Sequence, residues 1–182
     1  MSLLAAYGLL AHALIFGAIA AWLPLGILRQ KAALTATAMS LLVGIAPVMH
    51  GVFAPPSVSL LTLAVLQLAG KTPSPLSPRP AMAILAFATV FYTASWGVGP
   101  FDLYGTGYQP APVLLALIPL ALFLWVRRMP MGLLVLTLDL AAYATGIFPN
   151  LWDVLIDPLL VALCALMTGR QLIRHFNARG SH

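Results

Sequence analysis

The sequence contains very few charged residues. Only 7% of its 182 residues are charged, against about 25% in an ordinary soluble domain. Hydrophobic residues make up 62% of the chain, and the mean hydropathy is +1.00. So few charged side chains cannot cover a water-exposed surface, and so many apolar residues exclude an intrinsically disordered chain. The composition therefore predicts a protein whose main solvent is lipid.

Cysteine and the familiar catalytic motifs are also scarce. The single cysteine, Cys164, excludes an intrachain disulfide. The sequence has no HExxH, CxxC, phosphate-binding loop or nucleophile elbow, and its last apolar run has no lysine for a retinal Schiff base. We therefore expect no catalytic residue, no metal and no cofactor. Because the basic residues form short clusters between apolar runs, we expect no nucleic-acid partner.

The two ends of the chain need separate interpretation. The N-terminal apolar run extends to Arg29 with no basic residue before it, which is too long for a signal peptide and predicts a retained span. The last residues, RGSH at 179–182, are typical of the start of a polyhistidine purification tag, so we assign them no role. We expect one transmembrane domain over residues 1–176 and a tail over 177–182.

Seven apolar runs, separated by charges, prolines and glycines, are candidates for membrane helices, which need about 20 residues. The third run is the shortest and ends in the proline-rich GKTPSPLSPRP, so a half-span or re-entrant segment is the alternative there. The expected fold class is an all-α bundle of seven transmembrane helices in a lipid bilayer. The predicted spans are residues 3–28, 32–53, 56–70, 80–98, 111–126, 130–148 and 150–169.

Basic residues alternate strictly between the connections of these spans. The connections after the first, third, fifth and seventh runs contain Lys or Arg, and those after the second, fourth and sixth contain neither. Because basic loops stay in the cytoplasm, this alternation predicts an extracytoplasmic N-terminus and a cytoplasmic C-terminus in a bacterial inner membrane. The residues concerned are Arg29, Lys31, Lys71, Arg79, Arg127, Arg128, Arg170 and Arg174.

The four acidic residues are all aspartates, and three of them, Asp102, Asp153 and Asp157, fall on the predicted extracytoplasmic side. Asp153 and Asp157 are four residues apart, so they share a face if they lie on one helix. Capping is the structural alternative: Asp157 precedes a proline as an N-cap residue does, and Asp153 would favour a helix start. We expect a helix that starts near Asn150 and bends at Pro158.

Asp139 lies about midway along the sixth predicted span. A carboxylate near the centre of the membrane costs about 2.5–3.5 kcal/mol on insertion scales, so we expect it to point inward and to have a partner. Tyr143 shares its helix face, and His12 lies at comparable depth in the first span, which makes both candidate partners. The structural interpretation is a hydrogen bond between helices. The functional one is a proton or cation relay, or a substrate contact.

The remaining candidates lie at the predicted extracytoplasmic mouth. His50 ends the second span, and no ligand spacing joins it to the aspartates as in a metal site. The connection SWGVGPFDLYGTGYQPAP is rich in glycine and aromatic residues. It is interpreted either as an aromatic belt or as a lid formed by Trp96, Tyr104 and Tyr108, with Asp102 inside it.

Three functions fit these features. The first is a small transporter or channel for a proton, a cation, or a cationic or polar solute, with an acidic mouth leading to Asp139. The second is an accessory or assembly subunit of a larger membrane complex, or a homo-oligomer. The third is a membrane enzyme that uses Asp139, or Asp153 with Asp157, as acid–base groups. A wet crevice lined by Asp157 and Asp139 would favour transport, and a dry interior would favour a subunit.

Overall fold

A computed structural model describes residues 2–70, 76–97 and 100–179, and these are helices and turns without a strand. The all-α class is therefore confirmed for the described part of the chain. Lys71 and the predicted tag residues 180–182 lie outside it. The helices are α1 (Leu3–Ala20), α2 (Arg29–Leu42), α3 (Ile45–Phe53), α4 (Val58–Ala69), α5 (Pro78–Ser95), α6 (Ala111–Val126), α7 (Pro130–Ala144), α8 (Leu151–Leu155) and α9 (Pro158–Arg179), with short 3-10 helices at Gly26–Leu28 and Gly105–Tyr108.

Two helical segments, Leu3–Ala20 and Leu151–Asn177, are long and apolar enough to cross a membrane. The segment Gly26–Leu42 and α3 would form a third if this pair, bent by 73°, is one span. Helices α4, α6 and α7 are apolar but contain only 12, 16 and 15 residues. At about 1.5 Å per residue they measure about 18–24 Å, less than the roughly 30 Å of a hydrocarbon core. The described residues thus support a membrane protein with two to three full-length spans.

Breaks occur inside the first two predicted spans. The first span was predicted to reach residue 28, but α1 ends at Ala20, because Pro24 has no N–H and disfavours helix in the residue before it. The second was predicted over 32–53 as one helix. It begins earlier, at Arg29, and breaks at Gly44, whose φ of +87° is the left-handed conformation that glycine tolerates best.

The seventh predicted span, residues 150–169, is both interrupted and longer than expected. Ile156 is extended between α8 and α9, and Pro158, which cannot donate a helical hydrogen bond, starts the second piece. Helix α9 then continues for 22 residues to Arg179. The third and fourth predictions differ from α4 and α5 by a few residues at each end, the sixth shares the start of α7 but extends four residues further, and the fifth coincides with α6.

Helix α4 lies at the centre of the bundle, with Val58, Leu60 and Leu63 among its buried residues. It contacts α1, α7, α8 and α9. It runs parallel to α1, because the Tyr7 hydroxyl donates to the Pro56 carbonyl (3.0 Å) near one end and Gln67 Nε2 donates to the Ala18 carbonyl (2.8 Å) near the other. The shortest apolar run of the sequence, α4, is therefore the helix against which α1, α7, α8 and α9 pack.

Arg29 closes the C-terminal end of α4. Its guanidinium nitrogens donate to the carbonyls of Gln67 (2.6 Å) and Gly70 (2.7 Å), and its Nε donates to the Ala21 carbonyl (3.1 Å). The last carbonyls of a helix have no partner within the helix and carry the negative end of its dipole. One arginine thus satisfies the C-terminal ends of both α1 and α4.

Other basic side chains lie at this same end of the bundle. The Arg170 guanidinium of α9 is 5.4 Å from the centre of the Trp22 ring, just after α1. The pair Arg127–Arg128 connects α6 to α7, whose first half lies beside the C-terminal half of α4, since Leu134 and Leu66 line one groove. Three of the four aspartates lie at the opposite end, so the bundle is strongly polarised in charge.

Candidate functional site

Asp157 joins the N-terminal ends of two helices. Its Oδ1 accepts hydrogen bonds from the N–H groups of Leu159 (2.7 Å) and Leu160 (3.0 Å), which is the N-cap arrangement of α9. Its Oδ2 accepts from the N–H of Ser57 (2.8 Å), and the Ser57 hydroxyl caps α4 by accepting from Leu60 (3.2 Å). Two helix dipoles therefore converge on one buried carboxylate. These contacts engage both of its oxygens.

Asp139 of α7 is only 1% exposed and points into the bundle. Its Oδ2 accepts a 2.6 Å hydrogen bond from the hydroxyl of Ser59 in α4. The partner is therefore Ser59, whereas His12 and Tyr143 had been predicted. The other oxygen, Oδ1, is buried and has no hydrogen-bond partner among the described residues. Buried polar atoms are normally paired, so the surrounding helices leave this carboxyl group incompletely satisfied.

His12 and His50 face each other between α1 and α3, with ring centroids 5.9 Å apart. His12 Nδ1 lies 2.8 Å from the Gly8 carbonyl, and since a carbonyl can only accept, Nδ1 is the donor. His12 Nε2 and His50 Nδ1 are buried without a partner in the described part of the chain. His50 was predicted at the mouth, and its ring packs on Gly8 in the N-terminal half of α1, where a Cβ would collide with it.

The two aspartates bond to Ser57 and Ser59 at the start of α4, and the histidine pair lies between α1 and α3. Tyr7 belongs with them, since it interacts electrostatically with Asp157 and Asp139 as well as bonding to Pro56. His12 interacts in the same way with Asp157. We call the group the buried polar cluster; it consists of Tyr7, His12, His50, Ser57, Ser59, Asp139 and Asp157.

The aspartates of this cluster are closed off from the surface, at 1% exposure for Asp139 and 5% for Asp157. Two surface grooves, of about 460 and 550 Å³, run between α4 and α7 and between α6 and α7. Apolar side chains line both almost entirely, and neither aspartate contributes to them. The packed interior favours a subunit, whereas the unpaired polar atoms favour transport.

The predicted lid is fastened to α8. We call residues 100–110 the strap. The Tyr104 hydroxyl donates to Asp153 Oδ1 (2.9 Å), and Asn150 Nδ2 donates to the Tyr104 carbonyl (3.1 Å). Burial, and the hydrogen bond to the Asp153 carboxylate, raise the pKa of Tyr104 above its usual value. Gly107 lies so close to Asn150 that a Cβ there would collide with the amide. The strap is thus tied at several points.

The other predicted lid residues do not reach the buried polar cluster. Trp96 is 82% exposed and Tyr108 is 57% exposed, although the Tyr108 ring contacts that of Tyr104. Asp102 is exposed, and its Oδ1 accepts from the N–H of Gly105 (3.0 Å) in a local turn. Within the described part of the predicted lid, Tyr104 contacts Asp153, and Tyr108 contacts Tyr104.

Three residues of the cluster were missed by the sequence analysis: Tyr7, Ser57 and Ser59. Ser57 follows two prolines and precedes an apolar run, which is the usual position of an N-cap residue. Ser59 is one of the few polar residues within the third apolar run, where serine commonly bonds across helices. Both signals were therefore present in the sequence.

Among the described residues, no group of three or more His, Cys, Asp or Glu side chains is placed to hold a metal ion. No family model, curated protein or solved structure matches the chain. The chemistry of the site therefore follows from its own geometry. It offers one carboxyl group with an unpaired oxygen and two imidazoles with unpaired nitrogens, which are groups that exchange protons or bind small cationic donors.

Proposed function

We propose that the protein is a small integral membrane transporter or channel that moves a proton, a cation, or a cationic or polar solute through the buried polar cluster. The observation that carries this proposal is Asp139, which has one oxygen bonded to Ser59 and the other buried and unpaired. Ionisable groups inside membrane bundles are costly and mark ion or proton pathways. An aspartate that only joined helices would be expected to have both oxygens satisfied.

The proposed topology has seven crossings, with the N-terminus outside and the C-terminus in the cytoplasm. The antiparallel course of α4 and α7 supports it, since Ser59 bonds to Asp139 while Val135, earlier in α7, packs against the cluster of Leu63, later in α4. The concentration of basic side chains at one end is what the positive-inside rule expects of a cytoplasmic face. Short helices such as α4 would cross where the bilayer thins or where polar ends reach inward.

In this proposal the pathway is closed at its extracytoplasmic end. The strap would open by releasing its hydrogen bonds to the α8 region, among them those of Tyr104 with Asp153 and with Asn150. Asp157 would remain in place as a cap, because its oxygens are already engaged by three backbone N–H groups. Asp139 and the two histidines, which have unpaired atoms, would then contact the transported species.

An accessory or assembly subunit of a larger membrane complex is the second candidate. The burial of Asp139 and Asp157 favours it, because the described residues leave only 1% and 5% of these side chains exposed. The bond between Ser59 and Asp139 would then serve to join α4 to α7. An acid–base enzyme has less support, since Asp153 bonds to Tyr104 and Asp157 is a cap.

The test is flux in proteoliposomes that contain a pH-sensitive dye, under an imposed proton or monovalent-cation gradient. Asp139→Asn should abolish flux while leaving helix content and expression intact, because the amide cannot exchange a proton. The matched control is Asp102→Asn, the same change at an exposed carboxylate, and it should leave flux unchanged. Full flux in Asp139→Asn would show that Asp139 is not part of the pathway. A wild-type protein that shows no flux but co-purifies with a protein partner would favour the subunit.

A further inference from the structure

The last part of α9 extends beyond the bundle. Helix α9 has 22 residues and α4 has 12. The two helices begin side by side, because Asp157 at the start of α9 bonds to Ser57 at the start of α4. At about 1.5 Å per residue, α9 is therefore about 15 Å longer than α4. Every side chain from Arg170 to Asn177 is exposed. Among the described residues, the hydrophobic core clusters include no side chain of this segment, so both its faces are exposed.

The two faces of this segment differ in chemistry. Leu172, Ile173 and Phe176 are 51%, 61% and 66% exposed, and at about 100° per residue they fall within one arc of roughly 100°. Arg170 and Arg174 lie together on the other side of the helix. The end of a membrane helix with a basic face and an apolar face is suited to the membrane interface, where arginines can reach the headgroups while the apolar side contacts the acyl chains.

The basic face continues onto the bundle. Arg170 lies over the ring of Trp22, which fixes its guanidinium beside an aromatic residue of the kind enriched at membrane interfaces. Lys31 is exposed at the start of α2, at the same end of the bundle. The four aspartates, which are the acidic side chains of the sequence, lie elsewhere in the described structure, with Asp139 on the opposite half of α7, so no acidic side chain neutralises this surface.

We propose that this surface is a binding site for the headgroups of anionic phospholipids. The two arginines would contact headgroup phosphates, and the apolar face would lie among the acyl chains. The positive charge of the surface favours an anionic lipid over a second copy of the chain, because two copies would bring two positive surfaces together. The proposal rests on a membrane location and not on the transport function. We call the site the lipid face; it consists of Trp22, Arg170, Leu172, Ile173, Arg174 and Phe176.

The test is native mass spectrometry of the full chain in mixed micelles with equal amounts of phosphatidylglycerol and phosphatidylcholine. The wild-type protein should retain phosphatidylglycerol preferentially. Arg170→Gln with Arg174→Gln should lower that preference about 30-fold, since each basic residue near an anionic surface contributes about fivefold. Arg127→Gln with Arg128→Gln is the matched control, because it removes two charges from the same end but outside the lipid face, and it should change the preference little.

Two results would overturn the proposal. Equal losses in the two double variants would show diffuse attraction to the basic end, and an unchanged preference in the Arg170 and Arg174 variant would show no role for the lipid face. A salt titration of the wild-type protein gives a check that does not depend on variant folding. The preference should disappear near 1 M salt, where the screening length falls to about 3 Å. A preference that persists there, or a protein partner bound in place of lipid, also contradicts the proposal.

Discussion

Replacing Asp157 separates its structural contribution from any contribution of its charge. The carboxylate accepts two N–H bonds from the first turn of α9 and one from Ser57 at the start of α4. In Asp157→Asn the amide oxygen can keep the two bonds of α9, because Asn is as good an N-cap as Asp. The amide NH₂ would then face the Ser57 N–H, and two donors cannot bond. Asn at position 157 should therefore cap α9 well but lose the hydrogen bond to the Ser57 N–H at the start of α4.

The magnitudes follow from the number of bonds lost. Asp157→Asn leaves the Ser57 N–H unpaired in a buried position, which costs about 1–3 kcal/mol of unfolding free energy. Asp157→Ala also removes the α9 cap, which contributes about 0.5–2 kcal/mol, so its total loss should be about 1.5–5 kcal/mol. The control is Asp153→Asn, which disturbs one partly exposed bond to Tyr104 and should cost less than about 1 kcal/mol.

The assay is reversible unfolding in mixed detergent micelles, followed by circular dichroism. The expected order of stability is wild type, Asp153→Asn, Asp157→Asn and Asp157→Ala. If Asp157→Ala unfolds at the same denaturant fraction as the wild type, the capping account is wrong. If Asp157→Asn equals the wild type in stability but loses flux in proteoliposomes, the charge itself has a functional role.

Two further predictions concern the histidine pair and the strap. Gly8→Ala should lower the free energy of unfolding by about 1–3 kcal/mol in the same unfolding assay, because the added Cβ would overlap the His50 ring. The control is Gly51→Ala, whose Cβ would meet no atom within 4 Å, and it should be neutral or slightly stabilising. Tyr104→Phe should speed the labelling of a cysteine introduced in the strap, because it removes the bond to Asp153. Since the pKa of Tyr104 is raised on folding, this bond should stabilise the strap fully below pH of about 10 and be lost as pH rises through the raised pKa. The ratio of the labelling rate in Tyr104→Phe to that in the parent, in which the thiolate fraction cancels, should therefore fall at high pH, and a ratio that does not change contradicts the prediction.

Apolar patterning predicts where helices lie more reliably than where they break. The run that became α6 has charges and prolines at its limits, and prediction and structure coincide at residues 111–126. The run over 32–53 contains Gly44, and a single glycine hardly changes the apolar content of a window that long. Whether such a glycine adopts positive φ depends on how the two flanking helices pack, and both α2 and α3 contact α1, which sequence periodicity does not report.

The sequence predicted the burial of Asp139 but not the hydrogen-bond partners within the candidate site. The cost of a lipid-facing carboxylate predicted that Asp139 points inward, and it does. Its partner depended on which helix lies opposite, and the antiparallel packing of α4 on α7 brings Ser59 there, not His12. Similarly, His50 reaches His12 because Gly8 lets α3 approach α1 closely. Contacts between distant helices are set by tertiary packing and leave no periodic signal within either helix.

The position of α4 connects the structural and proposed functional roles of the charged residues. Side chains from other helices hold both its ends, with Asp157 at the N-terminus and Arg29 at the C-terminus. Its 12 residues separate these two polar ends by only about 18 Å, well under the roughly 30 Å of a hydrocarbon core. Asp139, bonded to Ser59 in the first turn of α4, already lies inside this shortened distance. A proton or cation at Asp139 would therefore face a thinner apolar barrier than a full bilayer presents, and this supports a transport pathway along α4.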